Sequence, residues 1–525
     1  MTAGALINSG HEVSLKALAE AIEHLAVAGS LSDQELVRKV TCDSREVVPG
    51  AVFVAIRGYA ADGHQFIASA IARGAVAVIC EEVPVETNGN CLFIKVANAR
   101  KALAEAARIF YGKASDRLLV IGVTGTNGKT TTARLITSML NAGGIPAGYI
   151  GTNLCRIGDR DIVLDRTTPE ADQLHSLFAR MLEEGCRAVV MEVSSHALML
   201  WRVYGIAFHA AVFTNLTMEH LDFHQTMQEY AAAKQRLFDQ LSPGGFAVFN
   251  IDDPYAGQMM SKVPPESRFC CSMKRSFGDP EFQCSRFFRA EVHLSSIDSS
   301  FVDMDFSDAR VSLEVHLPGD YNVMNVLEAA ATGYGLGLDP QAVSGSLASV
   351  SSVEGRMERI GEAGTGYNVF VDYAHTPDAL QKALDTLRQL KSEGSRLFVV
   401  FGCGGDRDKS KRPEMGRIAS ETADEVILTS DNPRSEDPEA ILDAIERGIS
   451  GGRHIRISDR REALVKTLSM LEEGDILLVA GKGHEKYQEI KGRKEYFSDQ
   501  DILRNTMNNM NMRQLHPGSV VKEKT

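Results

Sequence analysis

The sequence predicts an α/β fold of several domains, and three observations carry that prediction. Short β-branched apolar runs alternate with longer amphipathic or alanine-rich runs, the pattern of parallel strands covered by helices. A strand passes into a glycine-rich loop and then a helix between Leu118 and Thr131. Further apolar runs end in polar clusters, and in open parallel sheets the ligand crevice lies outside the carboxyl ends of the strands. With 525 residues the chain outgrows one core, because single cores stop growing near about 250 to 300 residues; about two to four domains are expected.

The composition, 44% hydrophobic and 24% charged, is that of an ordinary globular protein. No apolar run reaches the roughly 18 to 20 residues that span a bilayer, and Met1 to Gly10 lacks the basic start and long apolar stretch of a signal peptide. No membrane partner and a cytoplasmic location are therefore expected. The formal charge of −13 opposes nonspecific attraction to nucleic acid, so no nucleic-acid partner is expected. The nine cysteines show no zinc or redox spacing and read as reduced, mostly packing thiols.

In chain order, the first block offers a strand at Ala51–Ile56, a helix at Gln65–Gly74, a strand at Ala75–Cys80 and a helix at Ala102–Gly112. The charged piece Lys113–Arg117 reads as a linker, and a second junction is expected near Ser351–Arg356. Pro264–Ala309 shows no clear period, and Asn505–Thr525 reads as a frayed polar tail.

The second block opens with the strand Leu118–Val123, then Thr124-Gly125-Thr126-Asn127-Gly128-Lys129-Thr130-Thr131. Glycines let backbone N–H groups approach phosphate oxygens, and the following helix N-terminus favours negative charge. Lys129 can reach the outer phosphates and the Thr130 hydroxyl can bind magnesium. The spacing departs from the strict phosphate-loop motif, since Val123 stands where its first glycine would be. A glycine-rich turn with a surface lysine is the bland alternative, and the flanking strand and helix argue against it. The strand Arg187–Val193 then places Glu192 near its end, where a carboxylate can hold a metal, before Ser194-Ser195-His196. The strand Ala210–Phe213 leads into Thr214-Asn215-Leu216-Thr217, His220, Asp222 and His224, and a helix carries Lys234. Singly these residues are weak signals; their joint placement at strand ends gives them weight.

The final block repeats the arrangement four times. Asn368–Val371 opens into Asp372-Tyr373-Ala374-His375-Thr376-Pro377-Asp378, and Arg396–Phe401 into Gly402-Cys403-Gly404-Gly405-Asp406-Arg407-Asp408-Lys409. Glu425–Thr429 opens into Ser430-Asp431-Asn432-Pro433-Arg434, and Asp475–Ala480 into Gly481-Lys482-Gly483-His484-Glu485. Helix capping explains Thr376 and Pro377 but not Asp372 and His375. Ordinary turn chemistry could produce one or two such clusters, not the whole series.

These residues resemble the Mur ligase family, and within it the branch that adds the third residue of the stem peptide, meso-diaminopimelate. The resemblance runs in order through Asp43-Ser44-Arg45, Gly63-His64, Thr124–Thr131, Glu192–His196, Thr214–Thr217 with His220, and Lys234. It continues through Tyr321-Asn322 with Asn325, Gly355-Arg356-Met357-Glu358, Asp372–His375 and the final glycine and proline loops. It implies three domains: 1–114 for the uridine diphosphate end of the acceptor, 115–353 as a phosphate-loop ATPase with a mostly parallel sheet, and 354–525 as a Rossmann-like domain for the incoming amino acid. It implies ATP and Mg2+ as cofactors, UDP-N-acetylmuramoyl-dipeptide and meso-diaminopimelate as substrates, and a monomer.

Residue by residue, the resemblance implies that Gly125, Thr126, Asn127, Gly128, Lys129, Thr130, Thr131, Asn325, Arg356, Asp372 and His375 hold ATP. Ser44, His64, Thr167, Thr168, Ser194 and Arg202 would hold the UDP-substrate, and Arg407, Asp431, Asn432, Pro433, Arg434, Gly481 and Glu485 the amino acid. Lys129, Glu192, His220 and Lys234 would be catalytic, with Thr130, Glu192, His220 and a carbamylated Lys234 at the metal. Carbamylation would turn a lysine that repels magnesium into an anionic ligand. The fork of Arg434 would grip the distal carboxylate that lysine lacks. The chain departs from the family pattern at Arg166, where Asn is common, and at Leu200, where Gln is frequent. A lysine-adding homologue and a folylpolyglutamate-type ligase are the neighbouring readings; from another class, a phosphate-loop switch would not need the third set of polar loops.

Overall fold

The computed structural model describes residues 12–515 except 30–33, 59–60, 86–90, 278–280, 307, 362–365 and 452–453. Three sheets, one in each third of the chain, carry the architecture. The first contains β1 (Ala26–Ala28), β2 (Lys39–Thr41), β3 (Ala51–Val54), β4 (Ala75–Cys80) and β5 (Leu92–Lys95) in the order β1-β5-β4-β3-β2. Only β1 runs antiparallel to its neighbour. Its helix Ala99–Phe110 is capped by Asn98, whose side chain accepts the Arg100 and Lys101 amides.

The central sheet contains β6 (Leu119–Thr124), β7 (Ala147–Gly151), β8 (Leu154–Ile157), β9 (Arg160–Val163), β10 (Ala188–Glu192), β11 (Phe208–Phe213), β12 (Leu241–Asn250), β13 (Arg268–Ser272), β14 (Arg286–Ser295), β15 (Ser300–Asp305) and β16 (Arg310–Val315). Their order is β16-β15-β14-β13-β12-β11-β6-β10-β7-β8-β9, parallel from β14 to β7 and antiparallel at both ends. Strands such as β6, buried from Val120 onward, and β10 read as continuous apolar runs because both faces are covered. Ile121 and Val123 pack toward the helices Lys129–Ala142 and Asp320–Gly335, while Val120 faces the opposite core.

The third sheet contains β17 (Glu358–Ile360), β18 (Asn368–Asp372), β19 (Leu397–Phe401), β20 (Glu425–Leu428), β21 (His454–Arg456) and β22 (Ile476–Ala480), ordered β17-β18-β22-β19-β20-β21. All its pairings except β17·β18 are parallel, with separate cores on its two faces. A hairpin of β23 (Tyr487–Ile490) and β24 (Arg493–Tyr496) follows. Among the described residues no helix is long and apolar enough to cross a membrane.

Several expectations are corrected. Cys270 and Cys284 form a disulfide, so the nine cysteines are not all reduced. β13 and β14 lie side by side and bring Cα atoms 14 positions apart in sequence to 6.2 Å, a proximity that spacing alone did not signal. The other seven are free thiols. The segment without period, 264–309, contributes three strands to the large sheet. The tail expected from Asn505 begins inside the helix Asp499–Leu515, whose Ile502, Leu503 and Met507 are buried; 516–525 lie outside the described residues, as do Met1 to Gly10. The helix expected at Gln65 starts at Ile67 after a 3-10 turn, and the expected linker Lys113–Arg117 contains the 3-10 turn Ala114–Arg117.

Candidate active site

The phosphate loop leaves the carboxyl end of β6 at the centre of the large sheet. Gly125 (φ 152°) and Gly128 (φ 85°) bracket it, and no side chain fits at either: a Cβ on Gly125 would lie 1.9 Å from Thr214 Oγ1, and one on Gly128 2.5 Å from Asn325 Oδ1. The loop is braced by the next strand end, with Thr126 N donating to Asn215 O (2.8 Å), Asn127 N to Asn215 Oδ1 (3.0 Å) and Thr214 Oγ1 to Asn127 O (2.6 Å). Lys129 folds back over it and donates to Gly125 O and Thr126 O at 3.1 and 2.7 Å. Thr130 and Thr131 follow in the helix, nearly buried.

Lys234, on the helix Met227–Gln235, is buried and donates to the same Gly125 carbonyl at 2.6 Å. Two lysine amines thus share one acceptor. Burial pulls the Lys234 ammonium well below its ordinary pKa, and the Lys129 charge adds to this against the pull of Glu219. Lys129 is lowered too, by burial, with Glu219 and Glu192 opposing. Glu192 is fully buried and accepts from Tyr149 Oη (2.6 Å), Thr152 N (3.1 Å) and Thr152 Oγ1 (3.2 Å). Burial raises its pKa, but Lys129, the Tyr149 hydroxyl and Arg356 outweigh that and hold it ionised. His220 (φ 56°) is depressed by burial against the opposing Glu219, which leaves a neutral ring near pH 7.

Glu219, absent from the expected set, stands between His220 and His375, with Nε2 of each 3.6 Å from a carboxylate oxygen. Burial would raise its pKa; His375, His220 and Lys129 overcome this and hold it well below the usual range. It lies inside the run Thr217–His220, so its place beside His220 was the available signal.

The C-terminal third closes over this loop. Arg356 Nη2 donates to Thr130 Oγ1 (2.7 Å), and Asp378 accepts from Asn127 Nδ2 (2.7 Å) and Thr217 Oγ1 (3.2 Å). Asn325 is buried on the helix Asp320–Gly335 and accepts from Thr132 Oγ1 at 3.3 Å. Asp372, at the end of β18, accepts the Met357 amide at 2.7 Å, and burial raises its pKa.

Beyond Glu192, the C-terminal part also meets the loop after β7: His484 Nε2 reaches Thr152 O (3.0 Å) and Asn153 Nδ2 donates to Glu485 Oε1 (3.5 Å). Asn432, 1% exposed, donates to Glu485 Oε2 (2.8 Å) and accepts from Lys482 Nζ (3.1 Å) and Glu489 N (3.0 Å). Gly481 (φ 109°) passes close to Asp431, and Gly405 lies against Pro433 O. Arg434 donates to Gly405 O (2.7 Å), with Glu489 at 3.5 Å. Burial and the Asp431 charge raise the pKa of Glu485, with Lys482 opposing. An unbroken series therefore runs from Glu192 through Thr152, Asn153 and Glu485 to Asn432 and Arg434. Thr152, Asn153, Tyr149, Asp378 and Lys482 were missed as site residues, because Tyr149 reads as a buried strand residue and each of the others singly as a turn or helix-start residue. Arg407 is the exception to the clustering: it is exposed on its loop.

The remaining expected residues line the face toward the first sheet. Thr168 Oγ1 donates to Glu192 O (2.9 Å) and accepts from Ser194 N (3.1 Å), and Thr167 Oγ1 lies 3.3 Å from Thr152 Oγ1. Buried Arg202 donates to Thr168 O at 3.1 Å. Ser44 and His64 sit on the N-terminal domain in 3-10 turns capped by Asp43 and Asp62, with His64 Nδ1 2.7 Å from Asp62 Oδ1. They are not drawn into the phosphate-loop cluster.

The loop fits a polyphosphate: its glycines form a cradle that a Cβ would fill, and the hydrogen bonds of Lys129 go to backbone carbonyls of the loop itself, with Glu219 and Glu192 acting on it only through their charge. Among the described residues no three His, Cys, Asp or Glu side chains form a metal cage. The oxygen donors of Thr130 and Glu192 are of the kind magnesium takes, which is usually held by one or two protein groups, substrate phosphates and water.

Three family models match the chain: "Mur ligase family, catalytic domain" over 36–111, "Mur ligase middle domain" over 123–333 and "Mur ligase, glutamate ligase domain" over 355–483. The UDP-N-acetylmuramoyl-L-alanyl-D-glutamate–2,6-diaminopimelate ligase of Chlorobium phaeobacteroides is 59% identical over 97% of this chain and 100% of its own. The enzyme of the same name from Chlorobaculum tepidum is 57% identical over 91% of this chain and 95% of its own. A solved structure of a ligase so named superposes with a TM-score of 0.67 at 33% identity, covering 95% of this chain and 100% of the other.

Proposed function

The chain belongs to the Mur ligase family, and from that premise we propose that it is an ATP-dependent ligase joining meso-diaminopimelate to UDP-N-acetylmuramoyl-L-alanyl-D-glutamate. The observation that carries the reading is the series of contacts linking Lys129, Lys234, Glu192, Glu485, Asn432 and Arg434 where the central and C-terminal sheets meet. We assign 1–114 to the UDP end of the acceptor, 115–353 to ATP and 354–525 to the amino acid. A cytoplasmic location follows from the need for ATP and a nucleotide-linked acceptor.

A carboxylate is a poor electrophile. The acceptor carboxylate attacks the γ-phosphorus of ATP, ADP leaves, and an acyl phosphate forms. The neutral amine of diaminopimelate then attacks the acyl carbon, an amide forms, phosphate departs, and the nitrogen gives up a proton. Because phosphoryl transfer depends on positioning and charge neutralisation, Lys129 and the loop amides hold the outer phosphates, and Arg356 fixes the Thr130 hydroxyl. Asn325, Asp372 and His375 frame the nucleotide. Magnesium, when bound by Thr130, Glu192 and His220, supplies further neutralisation of phosphate charge. Burial shifts Lys234 toward the neutral amine, the form that adds carbon dioxide, and we assign it as a carbamate that joins this metal set. Arg434, with Arg407 brought in from its exposed loop, takes the distal carboxylate of diaminopimelate, while Asp431, Asn432, Gly481 and Glu485 hold its amino-acid end.

ADP release should require acceptor, magnesium and diaminopimelate together. Comparable release with lysine would defeat the amino-acid assignment, and release independent of acceptor would defeat the ligase reading.

A further inference from the structure

A cavity of about 590 Å³ opens at the end of the central sheet opposite the phosphate loop, walled by Trp201, Tyr204, Ile206 and Leu241 together with Arg236. Ile206 and Leu241 stand at the amino ends of β11 and β12, whereas the phosphate loop leaves the carboxyl end of β6, which runs parallel to them. Cavities of about 300 to 1,000 Å³ take small molecules. Trp201, the only tryptophan of the chain, holds a left-handed backbone conformation (φ 57°) that bulky residues rarely adopt. That turn divides two neighbours: Arg202 donates to Thr168 O on the acceptor face, while Trp201 forms the cavity wall. The helix Met227–Gln235 is divided in the same way, since Lys234 reaches Gly125 O and Arg236, just past the helix end, lines the cavity.

The side chains of the wall select the ligand. Trp201 and Tyr204 meet edge to face with ring centroids 5.5 Å apart. Two cations sit over Trp201, Lys101 Nζ at 4.3 Å and Arg236 Cζ at 5.3 Å from its ring centroid, and Lys101 is 5.0 Å from that of Tyr204. A ring face attracts a cation but has no net charge with which to neutralise it. Lys101 is offset by Glu105, with Glu23 also acting on the Tyr204 side. Asp239, the acid in the cavity wall, is engaged by Lys262 at 2.9 Å. Among the described residues this leaves Arg236 with no ion pair and no side-chain hydrogen bond, only the indole. Its planar fork suits carboxylate, sulfonate or phosphate oxygens, and the two aromatic rings suit a flat apolar body. We propose that this cavity is a binding site for a planar aromatic anion, its ring against Trp201 and Tyr204 and its acid group on Arg236, separate from the sites for ATP, acceptor and diaminopimelate. The ligase reaction requires no such site, and the proposal stands independently of that reading.

The test titrates anilinonaphthalene sulfonate, a planar aromatic anion, into the full-length protein and follows the emission of Trp201, which no other tryptophan overlays. One dye per chain should quench that emission by energy transfer, and neither ATP nor UDP-muramoyl-L-alanyl-D-glutamate should displace it. Arg236→Met, by removing one charge-assisted contact, should weaken the dye about tenfold. The uncharged phenylnaphthylamine should bind the parent and Arg236→Met alike, and about tenfold more weakly than the sulfonate binds the parent. Trp201→Ala, followed by the dye's own emission, should also lose affinity. Equal affinity of the sulfonate for the parent and Arg236→Met overturns the proposal, as does undiminished binding by Trp201→Ala. Displacement by ATP or acceptor would place the dye at the reaction site, and binding that leaves Trp201 emission unchanged would place it elsewhere on the surface; either result overturns the proposal too. Circular dichroism verifies that each variant is folded, and the comparison of charged with uncharged dye on the parent protein tests the need for an anion without any variant.

Discussion

Replacing Lys234 by Met separates the amine from its buried stem. The stem's methylenes are each worth about 0.8 kcal/mol of burial, roughly 3 kcal/mol for the side chain, and Met keeps most of that volume. The Gly125 carbonyl, which Lys234 meets at 2.6 Å, retains Lys129 at 3.1 Å and is not orphaned. Burial pulls the amine's pKa well below its ordinary value, which weakens the charge interaction that its loss would remove. Stability should therefore change by no more than about 1 kcal/mol, a shift of only a few degrees in Tm. Activity should behave differently. If the Lys234 amine is carbamylated, Lys234→Met removes an anion from the phosphoryl-transfer site, and electrostatic groups of that kind are worth about 10² to 10³ in kcat. ADP release by protein freed of bicarbonate should be low and recover on adding it, with the mass of one carbon dioxide per chain in native mass spectra; Lys234→Met should show neither response. Undiminished turnover in Lys234→Met, or an unmodified mass in fully active protein with bicarbonate, would refute the reasoning.

Gly128→Ala would force a Cβ to 2.5 Å from Asn325 Oδ1 at φ 85°, a cost of about 1 to 3 kcal/mol; ADP should cease to raise the Tm in differential scanning fluorimetry. Asn432→Ala removes the group joining Glu485, Lys482 and Glu489 N, and leaving buried polar partners unmade costs about 1 to 3 kcal/mol. ADP release with diaminopimelate should fall about ten- to a hundredfold while acceptor binding by calorimetry is kept. Glu328 is fully buried, and burial raises its carboxyl pKa well above 4.5 despite the Thr132 hydroxyl. The folded state then holds a proton that the unfolded state loses above about pH 4.5, so stability falls as pH rises from there toward the folded pKa, by up to about 1.4 kcal/mol per unit. Glu328→Gln removes that loss, and its Tm advantage should widen between about pH 5 and 8; a constant difference contradicts the assignment.

The strand–glycine–helix order of the phosphate loop and the polar ends of the C-terminal strands were legible because each is a local event: an apolar run, a turn residue, a cap. Strand positions differed from expectation by a residue or two, as at Leu119–Thr124 against Leu118–Val123. Local pattern failed where pairing decides the outcome. The strands between 268 and 315 extend a large sheet through pairings that no local pattern specifies, and the Cys270–Cys284 bond follows from strand adjacency.

By itself the sequence determined which groups can do the chemistry: a lysine after a glycine loop, carboxylates and histidines at strand ends, an arginine after Asp431-Asn432-Pro433. Only the tertiary structure decided that Glu219 faces two histidines, that Lys129 and Lys234 share one carbonyl, and that Arg100, Arg166 and Arg202 converge on Glu170. The reason is physical. Charge interaction and desolvation depend on distance and burial, and those are set by the packing of residues remote in the chain.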